Sequence, residues 1–207
     1  MPVLIIGKLL DNYVDTIIMR QEIQNTIQYI EQTYIGLDNP YWTVSRDTAE
    51  LLQFLVFVHR PRCVLEIGTS IAYSTLFVAS ALEDCGGLLY TVESHVERLA
   101  LAGDHITRAL LNNIVVQIHG HAPEILSDID ELWDMVFFDA TKMEHLSYIQ
   151  TIESRLSPHA LVIADNVISH AEVMKDYVNY ISNHPDFIST TVAIGAGLLV
   201  SIKKSII

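Results

Sequence analysis

Residues 63–74, with the sequence CVLEIGTSIAYS, most constrain how this chain can fold. An apolar run leads into Gly68, and after a short polar turn residues 73–82 resume an apolar helical pattern. A strand, a glycine turn and a helix in this order are typical of the first βαβ unit of a nucleotide-binding sheet. The sequence therefore predicts a nucleotide-like cofactor at this turn, and the rest of the chain must indicate which one.

Strands and helices alternate after this unit. Further strands are predicted at 88–92, 114–118, 134–138 and 160–164, and helices at 96–111, 144–155 and 170–181. Two strands with no helix between them, at 187–194 and 198–202, close the chain. This order predicts an α/β, Rossmann-like, doubly wound fold. Its seven-stranded sheet would be mainly parallel, with an antiparallel hairpin at the C-terminal edge.

The N-terminal part adds helices to that core. Residues 11–35 carry one apolar helical stripe, formed by Ile23, Ile27, Ile30 and Tyr34. A second helix is expected to run to His59, with Asp47 and Glu50 at the spacing of a capping box. The first helix could cover a substrate, pack against a second subunit, or simply pack on the core. We expect one domain over residues 1–207, with 1–40 as a helical extension and 41–207 as the core.

The charge of the chain indicates which classes of binding partner it favours. The net charge is −13 with a pI near 4.9, and Lys203 and Lys204 form the one pair of adjacent lysines. Proteins that neutralise many phosphates usually carry a basic patch, so a nucleic-acid partner is disfavoured. The acidity is explained by solubility.

The apolar runs and the cysteines indicate the compartment. The longest apolar runs are shorter than the ~18–20 residues that a membrane span needs, so no transmembrane segment is expected. The apolar N-terminus has no basic leader, so no signal peptide is expected. Two cysteines, Cys63 and Cys85, make no disulfide framework, and the expected location is the cytoplasm.

Polar residues gather at the predicted carboxyl ends of the strands, where open α/β sheets bind ligands. They are Glu66, Gly68, Glu93, His121, Asp139, Asp165 and Asn166. One carboxylate after a strand is usually a turn or a helix cap. Repetition at successive strands is better explained by a binding site.

The first turn does not fit the fingerprint of a dinucleotide-binding site. A GxGxxG fingerprint would need glycine where the chain has Ser70 and Tyr73, so close approach of a pyrophosphate is not expected. Glu93, at the end of the second strand, is well placed to accept both hydroxyls of a ribose. A ribose site without a pyrophosphate site points to S-adenosylmethionine (SAM), whose carboxylate could rest at the helix N-terminus near Ser74.

Asp139, Asp165 and Asn166 form a second group of candidates. Two carboxylates and an amide oxygen are hard ligands that suit Mg²⁺, Mn²⁺ or Ca²⁺. Lys142, three residues after Asp139, could reach the same cavity. A lysine beside a dication and partly removed from water has its charged form disfavoured and can act as a base. The alternative is a solvated Lys142 and an Asp165 that caps a helix.

These motifs together resemble the cation-dependent class I O-methyltransferases, the group that includes catechol and caffeoyl-CoA O-methyltransferases and bacterial relatives. The resemblance runs from about residue 41 to 204. VLEIGTSIAYS is similar to the cofactor motif, DMVFFDATK to the metal-and-lysine motif, and VIADNV to the second metal motif. GHAPEIL resembles the adenine-side loop and IGAGLLVSIKK the closing hairpin.

The resemblance implies a role for each matching position. The cofactor-binding residues would be Val44, Glu66, Gly68, Thr69, Tyr73, Ser74, Glu93, Ser94, His121, Ala122 and Asp139. The cation would be bound by Asp139, Asp165 and Asn166, and Lys142 would be the general base, so that Lys142 and Asp139 are the catalytic pair. Trp42, Lys142 and Asn166 would contact the acceptor, a small phenol or another molecule with vicinal oxygens. The family also implies a homodimer.

Two departures from the family pattern leave alternatives open. Ala72 stands where the family usually has glycine, and Ala196 stands where an acid is common. No counterpart is evident of the C-terminal acid with which catechol enzymes hold the second hydroxyl. One alternative is methylation of a hydroxyuridine in tRNA, as some relatives do, although the acidic charge opposes it. Another is a cofactor-binding protein without activity.

Overall fold

The computed structural model describes residues 19–35 and 39–205. Within these residues seven strands form one sheet in the order β3-β2-β1-β4-β5-β7-β6. Strands β1 to β7 are Cys63–Ile67, Leu88–Glu93, Val115–His119, Trp133–Phe138, Leu156–Ala164, Phe187–Val192 and Leu198–Lys203. Helices α1 to α7 are Gln21–Ile30, Arg46–His59, Tyr73–Cys85, Val96–Arg108, Ala122–Ile125, His145–Ile152 and Ala171–Asn183.

The strand pairing confirms the predicted topology. The strands from β1 to β5 pair in parallel, whereas β7 pairs antiparallel with both β5 and β6. The chain moves outward from β1 to β3 and then returns to the other side of β1 with β4. The crevice where the strand order reverses is where such sheets bind ligands. It lies between the carboxyl ends of β1 and β4.

Helices cover both faces of the sheet, because the central strands are apolar on both sides. Val64 of β1 packs in the core shared with α1 to α4, and Leu65 packs in the opposite core with α6 and α7. Successive strand residues point to opposite faces, so one apolar strand can serve both cores. The two layers of helices hold the carboxyl ends of the strands in fixed positions.

The N-terminal helix packs on the core. Helix α1 buries Ile23, Ile27 and Ile30, and it contacts α3 and α4. A π-helical turn, Glu31–Ile35, continues it. Residues 11–18 of the predicted helix lie outside the described residues. Of the three interpretations, a helix packed on the core accounts for the contacts of the part of α1 that the structure describes.

The predicted capping box of α2 is wrong. Ser45 is the N-cap, and its hydroxyl accepts a hydrogen bond from the backbone N–H of Thr48 at 3.2 Å. Asp47 already lies inside the helix, and Glu50 pairs with Arg46 at 2.8 Å instead of reaching back to the cap. The helix therefore starts at Arg46, one residue before Asp47, so Asp47 lies in its first turn and not at the N-cap position.

None of the helices in the described ranges is long and apolar enough to span a membrane. The assignment of residues 1–207 to a single domain stays a prediction.

Candidate active site

A cavity of ≈ 290 Å³ opens at the carboxyl ends of β1 to β4. Every predicted cofactor residue except Glu66 lines it. These are Val44, Gly68, Thr69, Tyr73, Ser74, Glu93, Ser94, His121, Ala122 and Asp139. The parallel strands bring them together because their carboxyl ends meet at one edge of the sheet.

Gly68 permits the close approach of the turn after β1 to the turn after β4. Its φ is +109°, and a Cβ at this position would lie 2.5 Å from the backbone oxygen of Asp139. No side chain can be accommodated there without moving the backbone of Asp139. The glycine therefore sets the distance between the two turns that form the floor of the cavity.

The turn after Gly68 is strained and held by several hydrogen bonds. Ser70 and Ala72 both have positive φ, at 48° and 67°. Ala72, which stands where the family usually has glycine, therefore has the left-handed conformation that glycine adopts without strain. The Ser70 N–H donates to Glu93 at 2.8 Å, and His105 Nδ1 donates to the carbonyl of Ile71 at 2.8 Å. Such strain persists only where the surroundings determine the conformation.

Glu66 lies beneath the cavity instead of on its wall. Its side chain is buried and accepts hydrogen bonds of 2.6–2.7 Å from the hydroxyls of Ser74, Thr75 and Thr91. Burial raises the pKa of Glu66, and these three hydrogen bonds oppose the rise. Glu66 therefore orients Ser74 at the start of α3, and any effect on a cofactor would pass through that hydroxyl.

Glu93 is buried at the end of β2 with its carboxylate directed by the backbone. One oxygen accepts from the Ser70 N–H and the other from the His95 N–H, each at 2.8 Å. A carboxylate offers about four lone-pair sites, so each oxygen can still accept from a ribose hydroxyl. The residue that is predicted to bind the ribose is therefore hydrogen-bonded to the strained turn.

A loop over residues 39–45, here called the roof loop, covers the cavity. Ser70 Oγ donates to the carbonyl of Tyr41 at 2.8 Å, and the amide side chain of Asn39 bonds both backbone groups of Thr43. Trp42 is 71% exposed and lies under the guanidinium of Arg98, 4.8 Å from the ring centroid. The cation–π contact and the hydrogen bond from Ser70 hold the loop against the cavity, and the hydrogen bonds of Asn39 fix the shape of the loop itself.

His121 links two walls of the cavity. Its Nδ1 lies 2.6 Å from Glu124, and its Nε2 lies 3.2 Å from Glu144. The hydrogen bond to Glu124, with help from the charge of Glu144, raises the pKa of His121. The loop after β3 is thereby joined to the segment that follows Lys142.

A second cavity adjoins the first at the roof loop. Both cavities are lined by Trp42, Thr43, Val44, Asp139 and Lys142. The second cavity adds Ser45, Asp165, Asn166, His170 and Ala196. The predicted metal, base and acceptor residues therefore lie together, next to the predicted cofactor residues.

The electrostatics of the second cavity favour a cation. Burial raises the pKa of Asp139 to about 7, the charge of Lys142 opposes the rise, and the charge of Asp165 adds to it. Burial also raises the pKa of Asp165. Lys142 Nζ lies 3.3 Å from Asp139 Oδ1. Two buried carboxylates facing one lysine leave an excess of negative charge, which disfavours both being ionised at once unless a further cation binds.

Two buried oxygens in this cavity also lack a hydrogen-bond donor among the described residues. They are Oδ1 of Asp165 and Oδ1 of Asn166. Unsatisfied buried acceptors are costly, and hard oxygen atoms of this kind suit Mg²⁺ or Ca²⁺. No three acidic, histidine or cysteine side chains converge in the part of the chain that the structure describes. A cation site here would thus consist of two carboxylates and one amide, a donor set that fits a hard cation.

The model of the O-methyltransferase family matches residues 18–188, which include both cavities except Ala196. This chain belongs to the O-methyltransferase family. A catechol O-methyltransferase from Niastella koreensis is 34% identical to it over 141 residues, which is 66% of this chain and 63% of that protein. The O-methyltransferase ankF of Aspergillus thermomutatus is 27% identical, over 63% of this chain and 60% of that protein. The chain thus spans less than two thirds of the length of these curated relatives.

Solved structures of O-methyltransferases share the fold. An O-methyltransferase from Bacillus cereus, in complex with SAH (S-adenosylhomocysteine), aligns with a TM-score of 0.80 and 25% identity. The alignment covers 95% of this chain and 97% of that one. TomG from Streptomyces achromogenes, in complex with SAM, aligns with a TM-score of 0.77 and 23% identity, over 95% of this chain and 96% of that chain. The second likeness supports the fold alone.

Several residues of this O-methyltransferase family member line the cavities without having been predicted. They are Tyr41, Thr43, Ser70, His95, Arg98, Gly120 and His170. Most of them lie next to a predicted residue in the sequence, and a loop that contributes one lining residue usually contributes several. Arg98 gave no such signal, because it reaches the cavity by stacking on Trp42 from helix α4.

Proposed function

We propose that this chain transfers a methyl group from SAM to a hydroxyl of a small acceptor with two vicinal oxygens, in a reaction that depends on a divalent cation. The observation that carries the proposal is that the two cavities adjoin each other. Asp139 and Lys142 line both, so a cofactor in the first cavity and an acceptor in the second would meet at these residues.

The first cavity offers a surface for each part of SAM. The methionine carboxylate would lie at the start of α3, beyond the turn, because a helix N-terminus favours an anionic group. Glu93 would accept the ribose hydroxyls, and His121 and Ala122 would border the adenine. The roof loop would exclude water from the sulfonium, which supplies the methyl group.

A cation in the second cavity would be bound by Asp139, Asp165 and Asn166, and it would supply positive charge that lowers the pKa of an acceptor hydroxyl. The two buried oxygens that lack a hydrogen-bond donor among the described residues and the excess negative charge support this assignment. Mg²⁺ is our first choice because the ligands are hard oxygen atoms, and Mn²⁺ or Ca²⁺ would suit the same donors.

Lys142 would remove the proton from the acceptor. Asp139 holds Nζ at the junction of the two cavities, 3.3 Å from its Oδ1. In its neutral form the amine accepts the hydroxyl proton as the oxygen attacks the methyl carbon. Much of the rate would come from holding oxygen and methyl close and in line. Because the sulfonium loses its charge during transfer, the acidic surroundings would aid binding more than the chemical step.

Binding and turnover test the proposal separately. Isothermal titration with SAM and SAH should show binding, and a catechol should be methylated only when Mg²⁺ is present. No binding of either would contradict the proposal. Asp165→Ala should abolish methylation that depends on the cation while SAH affinity stays within about threefold. Mg²⁺ should raise the Tm of the wild type and not of this variant, since a ligand stabilises only a state that binds it.

A homodimer and a cytoplasmic location stay predictions.

A further inference from the structure

His170 is a side chain of the second cavity that the proposed mechanism does not use. It lines that cavity together with Asp165, Asn166 and Ala196. It is the N-cap of α7, where its backbone N–H donates to the carbonyl of Asn166 at 2.9 Å. The residue thus belongs to the same segment as the proposed cation ligands, but lies at its exposed end.

The backbone before His170 is fixed against the closing hairpin. The N–H groups of Ile168 and Ser169 both donate to the carbonyl of Ala196, at 3.2 and 3.0 Å. The N–H of Val167 donates to the carbonyl of Gly197 at 3.0 Å. Three consecutive backbone bonds therefore hold this segment beside Ala196, and they place His170 at a defined part of the cavity wall.

The imidazole has one nitrogen engaged and one available. Nδ1 lies 2.9 Å from Ser169 Oγ, and Nε2 has no hydrogen-bond partner among the residues that the structure describes. A ring held in this way can donate or accept one hydrogen bond with a molecule in the cavity. Ala196, on the neighbouring part of the wall, contributes only a methyl group and cannot take that role.

We propose that His170 selects acceptors that carry a third oxygen substituent, a hydroxyl or a carboxylate, in addition to the two vicinal oxygens. This inference rests on the proposed function. With the reacting oxygens near Asp139 and Lys142, the far side of a small ring would face the part of the cavity wall that His170 forms. A third oxygen meets the imidazole, and an acceptor without one leaves it solvated.

The effect on selectivity is moderate because His170 is exposed. A hydrogen bond in a solvated position contributes a net factor of roughly 3 to 10 in affinity. Discrimination by fully buried polar groups is much stronger, since their partners would otherwise stay unpaired. His170 therefore tunes the choice among related phenols and does not decide whether a catechol binds.

Calorimetric titration of the full chain, loaded with SAH and Mg²⁺, tests this without turnover. The acceptors are catechol, pyrogallol and 3,4-dihydroxybenzoate. The wild type is expected to bind at least one of the latter two 3- to 10-fold more tightly than catechol. In His170→Ala that preference disappears and the affinity for catechol stays within twofold. His170→Gln, which keeps a hydrogen-bonding group, retains part of the preference.

Glu172→Ala is the matched control, because Glu172 is an exposed residue of the same helix and does not line the cavity. It is expected to leave all three affinities unchanged. An equal loss for all acceptors in His170→Ala, the absence of any preference in the wild type, or the absence of acceptor binding would overturn the proposal. Selective binding without methyl transfer would overturn the proposed function and leave the role of His170 standing.

Discussion

The hydroxyl of Ser70 donates a hydrogen bond to the backbone carbonyl of Tyr41 at 2.8 Å, and this bond joins the strained cofactor turn to the roof loop. No other hydrogen bond among the described residues connects these two segments. The position of the roof loop therefore depends on a serine whose own φ is 48°.

Ser70→Ala should weaken SAH binding by roughly 3- to 10-fold, because one hydrogen bond contributes about 0.5–1.5 kcal/mol net. The measurement is calorimetric titration with SAH. Thr107→Ala is the control, since it also removes a side-chain hydrogen bond, from an exposed residue outside the cavity lining. Equal affinities for Ser70→Ala and the wild type would show that the roof loop is held by other contacts.

Ala72→Gly should change the free energy of unfolding by less than about 1 kcal/mol. Relief of the left-handed conformation is worth about 1–2 kcal/mol. It is offset by the loss of a buried methyl group, about 0.8 kcal/mol, and by the entropy of the unfolded glycine, about 0.5–1 kcal/mol. Urea denaturation measures the difference. Destabilisation by more than 2 kcal/mol would mean that packing of the methyl group outweighs the strain.

Lys142→Met and Lys142→Arg should both slow methylation by about 10²-fold or more, a typical contribution of general-base catalysis. Arginine keeps the charge but does not deprotonate, so the pair separates the two roles of the lysine. SAH affinity should stay within about threefold in both, as measured by titration. A near-normal rate in Lys142→Arg would indicate that Lys142 acts through its charge alone.

His145→Phe should stabilise the protein more in acid than in base. Burial lowers the pKa of His145 to about 3, the charge of Lys142 adds to this, and the nearby backbone of Ala140 opposes it. The unfolded chain binds a proton below about pH 6.5 and the folded protein does not, so the wild type loses stability as the pH falls from about 6.5.

Phenylalanine removes that loss and keeps the aromatic contacts with Phe138, Tyr148 and Tyr177. The difference in unfolding free energy between His145→Phe and the wild type should therefore grow by about 2 kcal/mol between pH 8 and pH 5. Urea titrations at the two pH values measure it. The same difference at both would contradict a neutral buried imidazole.

Most of the fold could be predicted because its signals are local. The apolar strands and the glycine turn at Gly68 are visible as short patterns, and the order of elements determines a parallel sheet. The N-cap of α2 was misassigned because two overlapping spacings compete, Ser45 to Thr48 and Asp47 to Glu50. Side-chain geometry decides between them, and the sequence does not contain it.

The sequence predicts that the site lies at the carboxyl ends of the strands, but it does not predict the contacts among the side chains of the site. Glu66 shares a strand with residues that approach the cavity, and nothing in its neighbours indicates that it turns toward Ser74, Thr75 and Thr91. The positive φ of Ala72 and the stacking of Arg98 on Trp42 depend on residues distant in the sequence. Such contacts arise only when the helices pack.

Because Trp42, Thr43 and Val44 line both cavities, both ligands of the proposed reaction would lie against the roof loop. An acceptor bound there would obstruct the exchange of the cofactor beneath the same loop. This implies compulsory-order kinetics, with SAM entering first and SAH leaving last. Inhibition by SAH would then be competitive toward SAM and noncompetitive toward the acceptor.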